Sequence, residues 1–332
     1  MKGAITRTCL VHLASGVGNI VLATPLLVAL DELGLEVEVC LDADYAQTAA
    51  LLQPWSVVRA VHIAGVEAIA RRGYDVIVPA LPPFYWGRFA RSYALLASGR
   101  GGRPAVVTRP PSALFARDEQ AYYLAFARAL GAPPDRRSVA ILPIGPAAVP
   151  RLTADTVVLA PGCKTGIMAS KRWPHFVALA ERFDDVAVVG TADDLRHHDG
   201  SPMCFPAHAR LFVDRLTLRE TAELLAEAPV VVANDSGLAH VAAAVGAPTL
   251  MLFGPTDHAC LGPMAPNVTV LRAGLACEPC WTTGRLVACE GRVECLRTLA
   301  VEAVAEHVNV WLGRAAVASG EERDEHSIVR AR

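Results

Sequence analysis

Aromatic residues are scarce in this chain, at 6%, although 53% of its 332 residues are hydrophobic. A core poor in rings must be built from Ala, Val and Leu, which suits layered α/β packing better than an aromatic-rich β-sandwich. Charge of one sign is lacking too. The 31 Lys and Arg against 33 Asp and Glu leave a net charge of −2, so there is no basic footprint for nucleic acid and no strong acidic field. No apolar run is long enough to span a membrane. The longest, Leu238 to Gly254, contains His240 and is broken by Gly246-Ala247-Pro248. The start of the chain, with Lys2 and Arg7 ahead of apolar residues, imitates a signal peptide. It then runs into the turn-forming Ser15-Gly16-Val17-Gly18-Asn19 with no cleavage pattern. These absences predict a soluble protein that does not bind nucleic acid.

A chain of this length is comfortable for two ordinary domains, and its pattern repeats accordingly. Strands are predicted at Ile5–Leu13, Glu36–Leu41, Ser56–His62 and Asp75–Pro79, with helices at Ile20–Leu33, Ala46–Leu52 and Gln120–Leu130. Pro- and Gly-rich residues 143–150 read as a linker. The pattern then restarts, with strands Thr156–Ala160, Val186–Val189, Val230–Ala233 and Thr249–Phe253 alternating with helices Phe176–Phe183, Leu218–Ala226 and Leu238–Val245. Alternating β and α predicts parallel sheets covered on both faces, with ligands at the carboxyl ends of the strands. The expected divisions are 1–148, 149–318 and a charged, frayed tail 319–332.

The most informative string is Asn234-Asp235-Ser236-Gly237-Leu238-Ala239-His240, which follows an apolar strand and opens a helix. Amides at a helix start donate to anions, and Gly237 lets a phosphate approach the backbone. His240 lies four residues after Ser236, on the same helix face. The plainer alternative is an N-cap by Asp235 or Ser236 with a packed histidine beyond it. A dinucleotide fingerprint is a weak reading of Gly16-Val17-Gly18, because Val21 stands where the third glycine would be.

The block Val231 to His240, followed by Gly246-Ala247-Pro248 and Leu252-Phe253-Gly254-Pro255-Thr256, resembles the signature of the family-nine glycosyltransferases, which include the heptosyltransferases. Pro161-Gly162 with Lys171-Arg172-Trp173-Pro174, and Thr191-Ala192-Asp193-Asp194, resemble further blocks. So does Ser15 to Asn19 with Leu22-Ala23-Thr24-Pro25-Leu26-Leu27. The resemblance implies an α/β fold of GT-B type, two Rossmann-like domains facing across a cleft, and inverting sugar transfer that needs no cofactor for its chemistry. It implies that Asp235, Ser236, Gly237 and His240 cradle the diphosphate of a sugar-nucleotide donor, ADP-heptose by this resemblance. Lys171 would reach that diphosphate, and Asp193 or Asp194 would lie near the ribose. Capping or a solvated charge is the plainer role for each of these. The acceptor would be a glycan or glycolipid such as lipopolysaccharide core, or a protein. The setting would be cytoplasmic, with at most peripheral contact at the inner face of the inner membrane.

One departure matters. Asn19 stands where the family has the aspartate proposed as catalytic base, and an amide cannot accept that proton. Asp118, Glu119 and Asp44 are the carboxylates left for the task, each with a cap or surface charge as its plainer role. A transferase using another sugar nucleotide and a degenerate, non-catalytic binding relative both stay open.

Nine cysteines is an odd number, and without an export signal they read as reduced thiols or metal ligands. Cys277, Cys280, Cys289 and Cys295 cluster behind a Cys-x2-Cys opening. Four thiolates could close a structural zinc or iron site.

Overall fold

Apolar strands with both faces covered need helices on either side, and the chain supplies them twice. The computed structural model describes residues 7–70, 72–98, 105–106, 109–133, 140–144, 149–164, 166–261, 265–282, 285–286, 292–313 and 328–330. It divides into two units, Met1–Pro143 and Ile144–Arg332, a boundary inside the predicted linker and slightly before the expected one.

In the first unit, β1 (Arg7–Leu13), β2 (Leu35–Leu41), β3 (Val58–Ile63), β4 (Val76–Pro79) and β5 (Ala105–Val106) form one sheet in the order β3-β2-β1-β4-β5. Every pairing is parallel. Strand β4 is buried along its whole length, as a central parallel strand must be. The helix predicted at Ile20–Leu33 is two helices, Val17–Leu22 and Thr24–Glu32. Pro25 has no N–H to give to the Val21 carbonyl, and the Thr24 hydroxyl donates to that oxygen instead at 2.7 Å. Helix Glu119–Arg128 packs against both. Helix Trp86–Ser98, which the sequence reading did not anticipate, puts Phe89 and Tyr93 into a core with Leu10, Ile77 and Leu81.

The second unit contains β6 (Val157–Ala160), β7 (Val186–Val188), β8 (Arg210–Leu211), β9 (Val230–Asn234), β10 (Thr249–Leu252) and β11 (Val268–Arg272). A short hairpin of β12 (Trp281–Thr282) and β13 (Arg285–Leu286) stands apart from the sheet. Strand β14 (Ile328–Arg330) pairs in parallel with β11. The stretch expected as a frayed tail therefore contributes an edge strand, and the rest of it lies outside the described residues. The sheet order is β14-β11-β10-β9-β6-β7-β8. Renumbered within the unit, the first six strands run 3-2-1-4-5-6, the doubly wound order, which reverses direction between β6 and β9. Trp173 fills the core beside β6, wholly buried, and its ring N–H donates to the Leu299 carbonyl at 2.9 Å.

Candidate functional site

The reversal point of the second sheet is where the chain concentrates buried charge. Asn234, the last residue of β9, ties the two strand ends together. Its amide donates to the Pro161 carbonyl at 2.5 Å and its Oδ1 accepts from the Trp173 backbone at 2.9 Å. The next residue, Asp235, is buried, and its Oδ2 accepts from Lys171 Nζ at 2.9 Å and from Thr256 Oγ1 at 2.8 Å. Burial works to raise the Asp235 pKa. The Lys171 ammonium, the His240 ring and the Lys171 and Thr256 hydrogen bonds outweigh it and hold the carboxyl below its ordinary value. His240 lies one turn into helix Gly237–Ala244, its Nε2 3.9 Å from Asp235 Oδ1. Burial, opposed by Asp235 and reinforced by Lys171, pushes its pKa down to about 4. His240 is therefore neutral at ordinary pH, and Lys171 is the charge partner of the carboxylate. The Nδ1 of His240 is buried with no hydrogen-bond partner among the described residues.

Ser236 holds the N-cap position of this helix in extended backbone and makes no side-chain cap bond. Ser236 and Gly237 are half-buried, and the first-turn amides have no acceptor within the helix. A lysine amine, a neutral imidazole and helix-start amides thus lie near one strand end, donors of the kind that can receive an anion. Beside it, Asp194 closes a capping box on Thr191, accepting from the Thr191 backbone at 2.8 Å and hydroxyl at 3.0 Å. A methyl group on Gly162, just past β6, would fall inside the Asp194 carboxylate. Asp193 is exposed.

In the first unit the corresponding reversal lies between β1 and β4. Asn19, in helix Val17–Leu22, donates from Nδ2 to Glu119 Oε1 at 2.5 Å, and the Tyr123 hydroxyl donates to the same oxygen at 3.1 Å. Glu119 is wholly buried. A second buried group sits at the end of β1, where His12 Nδ1 meets the Tyr93 hydroxyl at 2.6 Å and His12 Nε2 lies 3.4 Å from Asp42 Oδ1. The Asp42 side chain is 11% exposed, and Arg88 approaches its other oxygen at 3.7 Å.

Residues 147–289 match the family described as Glycosyltransferase family 9 (heptosyltransferase). This matched segment, which lies within the second unit, is what is similar to that family. The lipooligosaccharide heptosyltransferase 2 of Haemophilus influenzae is 36% identical over 122 residues, covering 34% of this chain and 35% of the relative. The curated relative is thus matched over about a third of its length. The solved structure of a family 9 glycosyltransferase from Veillonella parvula aligns with a TM-score of 0.70 at 16% identity, over 93% of this chain and 98% of the other. The E. coli ADP-heptose lipopolysaccharide heptosyltransferase II aligns with a TM-score of 0.64 at 21% identity, over 92% and 99%. These two likenesses extend the GT-B type fold across both units.

Within the second unit, the structure brings Lys171, Asp235, Ser236, Gly237 and His240 together and leaves Asp193 on the surface. Asp235 is no helix cap, and Lys171 and Arg172 are no solvated pair. Arg172 is buried and donates to the carbonyls of Arg196 at 2.7 Å and Cys163 at 3.3 Å. In the first unit Asp118 is the N-cap of helix Glu119–Arg128, accepting from the Ala121 backbone at 2.8 Å, and Asp44 is exposed. Of the clustered cysteines, Cys277 is exposed, Cys280 and Cys295 are buried, and Cys289 lies outside the described residues. Among the described residues no three His, Cys, Asp or Glu side chains are placed to hold a metal ion. The sequence reading gave Thr256 no role of its own and missed the His12–Asp42 pair. A histidine inside the apolar strand Leu10-Val11-His12-Leu13 was the available signal for that pair.

Proposed function

We propose that the chain is an inverting glycosyltransferase that takes heptose from ADP-heptose and delivers it to a hydroxyl of a bacterial surface glycan such as lipopolysaccharide core. The observation that carries this reading is the buried Lys171–Asp235–His240 cluster at the β6/β9 reversal, inside the segment similar to heptosyltransferases. As the acceptor oxygen bonds to the anomeric carbon, the bond to the diphosphate breaks and its electron pair goes to the leaving oxygen. The Lys171 ammonium, an N–H of neutral His240 and the amides near Gly237 stabilise that charge, and fixed donors of this kind are often the largest catalytic contribution. Asp235 would repel a diphosphate. Its work is to hold Lys171 in place. The similarity to a protein named for ADP-heptose favours adenine and heptose in the donor. The same reading sets the reaction in the cytoplasm, and among the described residues no helix is long and apolar enough to cross a membrane.

For the base we assign Glu119, with Asn19 as the residue that positions it. The 2.5 Å contact delivers a carboxylate next to the site where Asn19 cannot act as one. A second reading is Asp42, favoured by its 11% exposure and by His12 behind it.

The test is a thermal-shift panel of ADP, ADP-heptose and the GDP-, UDP- and CMP-sugars, followed by turnover with the donor that binds. A ligand at a hundred times its dissociation constant should stabilise by about 2.7 kcal/mol. ADP-heptose should give the largest shift. Preference for another nucleotide would replace the donor, and binding without turnover on any glycan or protein acceptor would leave a non-catalytic relative.

A further inference from the structure

The turn after β7 is held more firmly than an ordinary surface turn. Asp214, which follows β8, is one of two non-glycine residues with a positive φ among the described residues, at 55°. A side chain in that left-handed conformation crowds the next carbonyl, so the conformation persists only where surrounding contacts fix it. Here those contacts converge on one place. The Asp214 N–H donates to the Gly190 carbonyl at 3.0 Å, and Asp214 Oδ2 accepts from the Ala192 N–H at 3.1 Å. Asp214 therefore grips the chain on both sides of Thr191. Asp194 closes the turn from within. Its Oδ2 accepts from the Thr191 backbone and hydroxyl, and its N–H donates to the Thr191 carbonyl at 2.9 Å.

The turn so fixed carries one unused group. Asp194 Oδ1 has no hydrogen-bond partner among the described residues. It is the atom closest to where a methyl group on Gly162 would sit, so it overhangs the carboxyl end of β6. The Pro161 carbonyl at that same strand end accepts from Asn234, the residue before Asp235. In doubly wound folds the phosphates of a nucleotide lie beyond the first strand, and an acid further along the chain hydrogen-bonds the ribose. A carboxylate oxygen accepts hydroxyl protons and repels phosphate, so a sugar diol is the ligand group that suits Oδ1.

We propose that Asp214 is a positioning residue for donor recognition: by locking the Gly190–Asp194 turn it keeps Asp194 Oδ1 in place for the ribose diol of the donor nucleotide. The inference rests on the donor site assigned above at the β6/β9 reversal. It adds a residue that acts through the turn and sets how strongly the diol is read.

Calorimetric titration of the full chain tests it with three probes: pyrophosphate, ADP and 2′,3′-dideoxy-ADP, which lacks the diol. Wild-type protein should bind ADP about tenfold or more tighter than the dideoxy nucleotide, the scale of a hydrogen bond to a charged group. Asp214→Gly accepts the left-handed backbone and removes the grip on Ala192. It should reduce that preference to about threefold or less, with pyrophosphate affinity unchanged. Asp214→Asn adopts the same conformation and still offers a carbonyl oxygen, so it should restore the preference. A merely structural Asp214 would change stability in urea and leave the ratio of the two nucleotide affinities alone. Full preference in Asp214→Gly overturns the proposal, as does an equal loss of pyrophosphate and ADP binding, or an Asp214→Asn variant that restores nothing. Wild-type protein that binds ADP and its dideoxy form equally overturns it too, with the donor site left standing. If wild type binds neither ADP nor pyrophosphate, the donor site itself is misplaced and this inference falls with it.

Discussion

Removing the Asp235 carboxylate should cost far more than the loss of a helix cap. In the structure the group accepts from Lys171 at 2.9 Å and Thr256 at 2.8 Å, and both ends of the ion pair are buried, with side-chain exposures of 9% and 4%. Asp235→Ala would leave the Lys171 ammonium buried without its counter-charge. Breaking a buried pair in this way costs about 3–5 kcal/mol, against ~1 kcal/mol for a cap. For a unit of this size that corresponds to a fall in Tm of roughly 6–20 °C. Urea unfolding followed by circular dichroism reads the same quantity. A cycle of Lys171→Met and Asp235→Asn, made singly and together, removes each charge and then both while keeping a partner for Thr256. The double variant should be more stable than Asp235→Asn alone, with a coupling energy of about 1.5 kcal/mol or more across the cycle. Donor binding should still be lost, because the lysine is gone. A cost near 1 kcal/mol for Asp235→Ala, or strict additivity in the cycle, would refute the argument that Asp235 acts through Lys171.

Three further outcomes follow from particular side chains. His240 has a folded pKa of about 4, below the ~6.5 of an unfolded histidine, so the unfolded chain binds the extra proton first. Its contribution is fully present above pH ~6.5 and lost as pH falls toward 4, by about 3 kcal/mol in all. His240→Gln should flatten that part of the stability–pH curve, and an unchanged curve would contradict the burial argument. Glu119→Gln should lower turnover by about a hundredfold or more, the scale of general-base loss, with donor affinity unchanged. Asp42→Asn should have a small effect, and the reverse result moves the base to Asp42. Cys277 should alkylate rapidly in the native protein while Cys280 and Cys295 are protected by burial. One zinc or iron per chain, with all four clustered thiols protected, would instead establish the metal site.

The parts of this protein legible in the sequence are those where local chemistry and global position coincide. Strands β6, β9 and β10 are continuous apolar runs because both faces of a parallel sheet are covered, so they announce themselves. The turn after β9 is legible for a related reason: a strand end, a glycine and a helix start must be adjacent in sequence to make an anion site. Side-chain partnership across the chain carries no such signal. Nothing in Lys171-Arg172 says that the first is paired with a residue 64 positions away while the second caps carbonyls. The solvated alternative was equally consistent with the string. Asp118-Glu119 shows the same limit within one dipeptide. Adjacent acids before a helix read alike, yet one faces Ala121 as a cap and the other turns inward to Asn19 and Tyr123, because neighbouring helical positions point about 100° apart. The loss of an aspartate at position 19 is visible in the sequence. That a buried glutamate 100 residues later lies against its replacement follows only from the packing of helix Glu119–Arg128 on Val17–Leu22. Activity of Asn19→Asp would test that compensation from the other side. A carboxylate restored there, facing Glu119, places two like charges in one buried site and should raise the pKa of one of them. Turnover should therefore fall or shift to higher pH, whereas a simple gain at neutral pH would mean that Glu119 does not carry the proton.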